Sequence, residues 1–126
     1  MPPKKRTKRT RSSQTNAILI RIRKERAREF ERLFEKEELP IWKDFHASGK
    51  LRAASLTRVE YGVEEDEAKK GKYVAYILYA VMKDMRAHTE HDEDERFNAF
   101  LTKVRRWQPE GPSVWGGRTV FRVNAE

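Results

Sequence analysis

Residues 88 to 97 read HTEHDEDERF. His88 and His91 stand three residues apart and run into four successive carboxylates, Asp92, Glu93, Asp94 and Glu95. Imidazole beside carboxylate suits divalent-metal ligation, and it also suits general acid–base chemistry. On a formed helix the two imidazoles would share a face, with Asp92 or Glu95 in reach. No third histidine or cysteine lies nearby, and the remaining histidine, His46, is distant in the chain, so no metal is assigned. The acids have a simpler reading. Thr89 serves as an N-cap, and the carboxylates that follow complement the positive end of a helix dipole. What remains open is whether the imidazoles face a pocket or the solvent.

Composition bounds the alternatives. The chain has 126 residues, enough for one domain with a core and too few for two ordinary ones. Charged residues make up 38%, yet 3 Trp, 4 Tyr and 6 Phe argue for a folded chain. With no cysteine, a disulfide, a thiolate zinc site and a cysteine nucleophile are excluded. No apolar run approaches a membrane span, so a soluble cytoplasmic protein is expected. The net charge of +8 is concentrated in residues 1–11, MPPKKRTKRTR, which carry six Lys or Arg and no acid. Residues 1–16 therefore read as a disordered basic arm and residues 17–126 as one domain. Such an arm binds nucleic acid non-specifically through its phosphates, or simply solubilises the chain.

The elements that must position the histidines follow from periodicity. AILIRIRK (residues 17–24) alternates as a half-buried strand. Phe30, Leu33, Phe34, Ile41, Trp42 and Phe45 recur at helical spacing, with Pro40 kinking or dividing the helix and Gly49 suited to its left-handed cap. LRAASLTRVEYG alternates again, and the charged VEEDEAKKGK reads as a mobile connection. YVAYILYAVM, apolar on both faces, is a central strand. A second helix starts near Thr89 and presents Phe97, Phe100, Leu101, Val104 and Trp107. VWGGRTVFRV closes the domain as the last strand, its double glycine marking a bulge or a close approach. The order strand, helix, strand, strand, helix, strand is that of an α+β, ferredoxin-like βαββαβ sandwich, with two helices on one face of a four-stranded antiparallel sheet.

On this alignment Ile18, Ile20, Ile22, Val59, Tyr61, Trp115, Phe121 and Val123 belong to the helix-covered face. The free face then carries Arg21, Arg23, Arg52, Arg58, Arg118 and Arg122 beside a stripe of Tyr76, Leu78, Ala80 and Met82. Such a stripe implies an interface. The alternative is a nucleic-acid surface formed by Lys4, Lys5, Arg6, Lys8 and Arg9 of the arm with Arg21, Arg23 and Tyr76 of the sheet. KYVAYILY partly matches the third-strand signature of the RNA-recognition motif, at Lys72, Ala75, Tyr76, Ile77 and Tyr79. It supplies one stacking ring of the three wanted there, since Val74 and Leu19 occupy the other positions.

FERLFEKEELPIWKDFHASGKLRAASLTRVEYG and YVAYILYAVMKDMRAHTEHDEDERFNAFL together resemble the dimeric α/β-barrel superfamily. It includes the antibiotic-biosynthesis-monooxygenase-like and stress-responsive α/β-barrel proteins. The resemblance is one of pattern and element length across most of residues 17–124. It implies a homodimer with its sheets face to face, and a small, partly aromatic ligand bound, or also oxidised, between sheet and helices. By resemblance the catalytic candidates are His88, His91 and His46, and the ligand-binding candidates are Trp42, Tyr61, Tyr79 and Trp115. No cofactor is called for. Ser–His–Asp spacing, a phosphate-binding glycine loop and a dinucleotide fingerprint are all absent from the sequence.

Overall fold

The computed structural model describes residues 13–123. Strand β1 (Gln14–Arg23) is the first described element and begins three residues ahead of its apolar alternation. A short 3-10 turn leads into α1 (Ala27–Leu33), a π-helical turn (Phe34–Glu38) and α2 (Leu39–Ala47). Then follow β2 (Leu51–Arg58), α3 (Val63–Gly71), β3 (Tyr73–Met82), α4 (Met85–Asp92), α5 (Glu95–Arg105) and β4 (Ser113–Arg118). The sheet order β2-β3-β1-β4, antiparallel throughout, is the ferredoxin-like arrangement expected from the element order. Among the described residues no helix is long and apolar enough to cross a membrane.

Pro40 sits in the first turn of α2, where a missing amide donor is tolerated, and the widened π turn lies just before it. The chain leaves α2 through Gly49 at φ +80°. Gly49 N–H donates to His46 O and Lys50 N–H to Phe45 O, the paired bonds of a Schellman cap.

The helix-covered core is built from Ile20, Ile22, Phe30, Phe34, Ile41, Trp42, Phe45, Tyr76, Leu78, Met82, Phe100 and Val104. Phe34 meets Trp42 and Phe100 edge-on, at 5.0 and 5.7 Å between ring centres.

Register corrects several expectations. Ile18, Ile20 and Ile22 oppose Leu78, Tyr76 and Val74, so Tyr76, Leu78, Ala80 and Met82 lie under the helices, not on the free face. Tyr76 is 1% exposed, and its hydroxyl donates to Glu31 Oε2 at 2.6 Å. Burial first, and then that bond, push the phenol up to about 12. Tyr76 is therefore unavailable to stack a base. The free face instead carries Ile77, Tyr79 and Trp115, the last two flanking Ala17 from either side. Arg58 belongs to the helix side, paired with Glu31.

Residues 63–71, read as a mobile connection, form α3. Its Glu64 reaches Arg21 at 3.0 Å and also accepts from the Tyr73 hydroxyl. β4 stops at Arg118, so Phe121 and Val123 are exposed beyond the sheet. Its pairing with β1 runs without a bulge. Thr89 lies inside α4, and the second helix is in fact two. Asp84 caps α4 by accepting from Ala87 N–H, and Asp94 caps α5 by accepting from Arg96 N–H.

Candidate functional site

A partly open cavity of about 490 Å³ lies between the sheet and helices α4 and α5. Its walls are mostly apolar, from Ile18, Leu78, Phe97, Leu101 and Val114, with a polar corner of Asn16, His88 and Asp92. That is the make-up of a small-molecule site: apolar area for binding and a few fixed polar groups for orientation.

Three elements converge on the corner. Asn16 continues the period-two register of Ile18, Ile20 and Ile22, so β1 aims it at the helices, where it is buried. His88 and Asp92 are one helical turn apart on α4. Asn16 Nδ2 lies 3.1 Å from His88 Nδ1, and His88 Nε2 lies 3.4 Å from Asp92 Oδ2. Gly116 makes room for the asparagine. A β-carbon there would stand 2.8 Å from Asn16 Oδ1, so one of the two glycines serves a close side-chain approach.

His91 faces the interior rather than the cavity. Its Nε2 lies 2.7 Å from Oε2 of Glu38, which is fully buried on the π turn. Phe45 and Phe97 pack against the imidazole. Burial alone would lower the His91 pKa, but the Glu38 and Asp92 carboxylates together outweigh it and the net shift is upward. Burial also pushes Glu38 up, against the pull of the imidazole. His91 Nδ1 lies 3.5 Å from Asp92 Oδ1, so Asp92 is flanked by both imidazoles.

The other anticipated residues are dispersed. His46 and Trp42 share a shallow groove with Arg52 at the α2–β2 edge, and Trp42 is itself mostly core. Tyr61 is 87% exposed in the turn after β2. Tyr79 and Trp115 stand on the free face, away from the cavity. Arg21 is held by Glu64, Glu110, Gly111 O and Ser113 Oγ, and Arg23 is exposed. Lys4, Lys5, Arg6, Lys8 and Arg9 lie outside the described residues. Among the described residues no group of three or more His, Asp or Glu is placed to hold a metal.

Two residues of this constellation escaped the sequence reading. Asn16 was assigned to the uncharged end of the arm, although its parity with Ile18 places it on the buried face. Glu38 ends a run of four charged residues, 35–38, and nothing in its type sets it apart. Its spacing from Phe34, Ile41 and Trp42, all buried, puts it on the apolar stripe.

No protein-family model and no curated protein matches the chain. Solved structures do. An antibiotic biosynthesis monooxygenase candidate from Caulobacter crescentus matches with a TM-score of 0.68 at 14% identity, over 89% of this chain and 93% of that one. A variant of SnoaB, a cofactor-independent oxygenase from Streptomyces nogalater, gives 0.62 at 15% identity, over 90% and 99%. A dimeric ferredoxin-like protein from an uncultured marine organism gives 0.63 at 18% identity, over 89% and 99%. The fold is thus the ferredoxin-like one found among antibiotic-biosynthesis-monooxygenase-like proteins. At these identities the likeness is one of architecture, and the chemistry has to be argued from the site.

Proposed function

We propose that this chain binds a small, partly aromatic ligand in the cavity between β1, β4 and helices α4 and α5, as a subunit of a homodimer. The cavity carries the proposal: about 490 Å³ of mostly apolar space with Asn16, His88 and Asp92 at one corner. That volume lies within the range of ligand sites, and the polar corner can orient a hydroxyl or carbonyl on an aromatic frame. The oxygenase and monooxygenase-like proteins that share the fold supply the reaction class to test, oxidation of the bound ligand. Nucleic-acid binding by the sheet gains no support among the described residues, because Tyr76 is buried and Arg21 is already bonded.

Titration of the 15N-labelled protein with hydroxylated two- and three-ring aromatics tests the reading. Saturable shifts are expected at Phe97, Asn98, Leu101 and Val104, and they should vanish in Leu101→Trp, which fills the cavity. Absence of saturable shifts across the set would rule the site out. Oxygen consumption that depends on both ligand and protein, and is lost in Leu101→Trp, is expected if oxidation follows binding.

A further inference from the structure

We propose that the buried Glu38–His91 pair acts through Asp92 to fix the tautomer of His88 at the cavity wall. The inference deepens the reading of this cavity as the ligand site, but its geometry stands without a ligand.

Five side chains from three elements form a continuous line. Glu38 Oε2 is 2.7 Å from His91 Nε2, and His91 Nδ1 is 3.5 Å from Asp92 Oδ1. Asp92 Oδ2 is 3.4 Å from His88 Nε2, and His88 Nδ1 is 3.1 Å from Asn16 Nδ2. Two links of this line are hydrogen bonds and the two at Asp92 are charge contacts, and one assignment of protons serves them all. The Asn16 amide nitrogen can only donate, so His88 Nδ1 must accept, and the ring proton sits on Nε2, facing Asp92. The Asp92 carboxylate stands at ion-pair distance from both rings and favours a proton on His91 Nδ1, while His91 Nε2–H is donated to Glu38. A protonated His91 between two carboxylates satisfies both contacts, and the upward shift of its pKa agrees with that state.

Glu38 anchors the line. Its other oxygen, Oε1, is buried with no hydrogen-bond partner among the described residues, so the charge is compensated mainly by His91, with Trp42 adding to it. Asp94, the other carboxylate acting on Glu38, is already engaged by Arg96. Replacing the pair frees Asp92 to rotate toward solvent, since its side chain is half exposed. His88 then loses the nearby negative charge that, together with the Asn16 amide, favours Nε2–H. Glu38 and His91 are positioning residues in this arrangement. They hold the polar corner in one orientation before a ligand arrives.

Long-range 1H–15N spectra of the imidazoles, recorded on the full chain without ligand at about pH 8, read the tautomer directly. The wild type is expected to show His88 as the Nε2–H form. The double variant Glu38→Met, His91→Phe removes both buried charges together, so it should fold. Its His88 tautomer ratio should drop roughly 2- to 5-fold, the weight of one exposed charge contact. Glu38→Leu, His91→Leu, which also removes both charges, carries the same expectation if the first double variant fails to fold. An unchanged ratio in a folded variant, or an Nδ1–H form in the wild type, overturns the proposal. Because no ligand is present, a failed aromatic titration leaves this result standing, and an unchanged tautomer leaves the cavity reading standing.

Discussion

At the residue scale, the buried pair and the glycine beside Asn16 each give a measurable consequence. His91 has a folded pKa above its ordinary 6.5, so the folded state holds that proton more tightly than the unfolded chain does. Its contribution to stability is complete below about pH 6.5 and is lost as pH rises through the folded value. Glu38 is also shifted upward, so its contribution is present below its ordinary 4.5 and likewise lost as pH rises. The melting temperature of the wild type should therefore fall with rising pH more steeply than that of Glu38→Met, His91→Phe; equal slopes in calorimetry would contradict this. His91→Phe alone strands a buried carboxylate and should cost about 3–5 kcal/mol, whereas the double change should be close to neutral. Gly116→Ala pushes a methyl onto the Asn16 amide and should cost about 1–3 kcal/mol in chemical denaturation. It should also release the amide from His88. A variant as stable as the wild type, with the Asn16 side-chain resonances unmoved, would show that the corner is not packed this tightly.

At the element scale, periodicity located four strands and the main helices because each buries an apolar stripe that leaves its period in the sequence. It failed where burial is slight. α3 buries only Ala68, so no helical stripe shows, although its run of Glu, Ala and Lys has high intrinsic helix propensity. The face of β3 could not be read from composition because both faces are apolar. Pairing with β1, and not the identity of its residues, puts Tyr76 inside and Tyr79 outside. His88 was legible as a candidate from its neighbours, but its orientation was not, since that depends on where α4 begins. Asp84 sets that start, so the helix presents His88 to the cavity and His91 to Glu38. α3 itself is held by Glu64, whose carboxylate burial would push up but which the Tyr73 hydroxyl and Arg21 bring below its ordinary value. Glu64→Ala should cost about 1–3 kcal/mol and strip hydrogen-exchange protection from residues 63–71. It should leave the cavity resonances in place, because α3 lies beside Arg21 and Tyr73 on the opposite face. Loss of protection in α5 instead would mean that the two faces are coupled.

At the scale of the whole molecule, the sheet separates two surfaces of different make-up. One side carries α1, α2, α4 and α5, the core and the cavity with His88. The other shows Ile77, Tyr79 and Trp115, each at least 40% exposed, across neighbouring strands. Aromatic and aliphatic side chains gathered on one open face are what a protein interface uses, and scattered exposed residues would not be so aligned. α3 covers the end of this face near Arg21 and Tyr73, so the free area for a second copy is the end bearing Tyr79 and Trp115. A stable pairing buries about 800 Å² from each partner, and two sheets facing one another would bring their open strands together over such an area. Sedimentation at micromolar concentration should thus give a dimer, and Tyr79→Glu with Trp115→Glu should give a folded monomer. Because the cavity is on the far side of the sheet, that monomer should retain the His88 tautomer and the ligand-induced shifts at Phe97 and Leu101. A wild-type monomer would remove the interface. A monomeric variant that lost the cavity signals would instead show that the partner subunit helps to shape the site through the sheet.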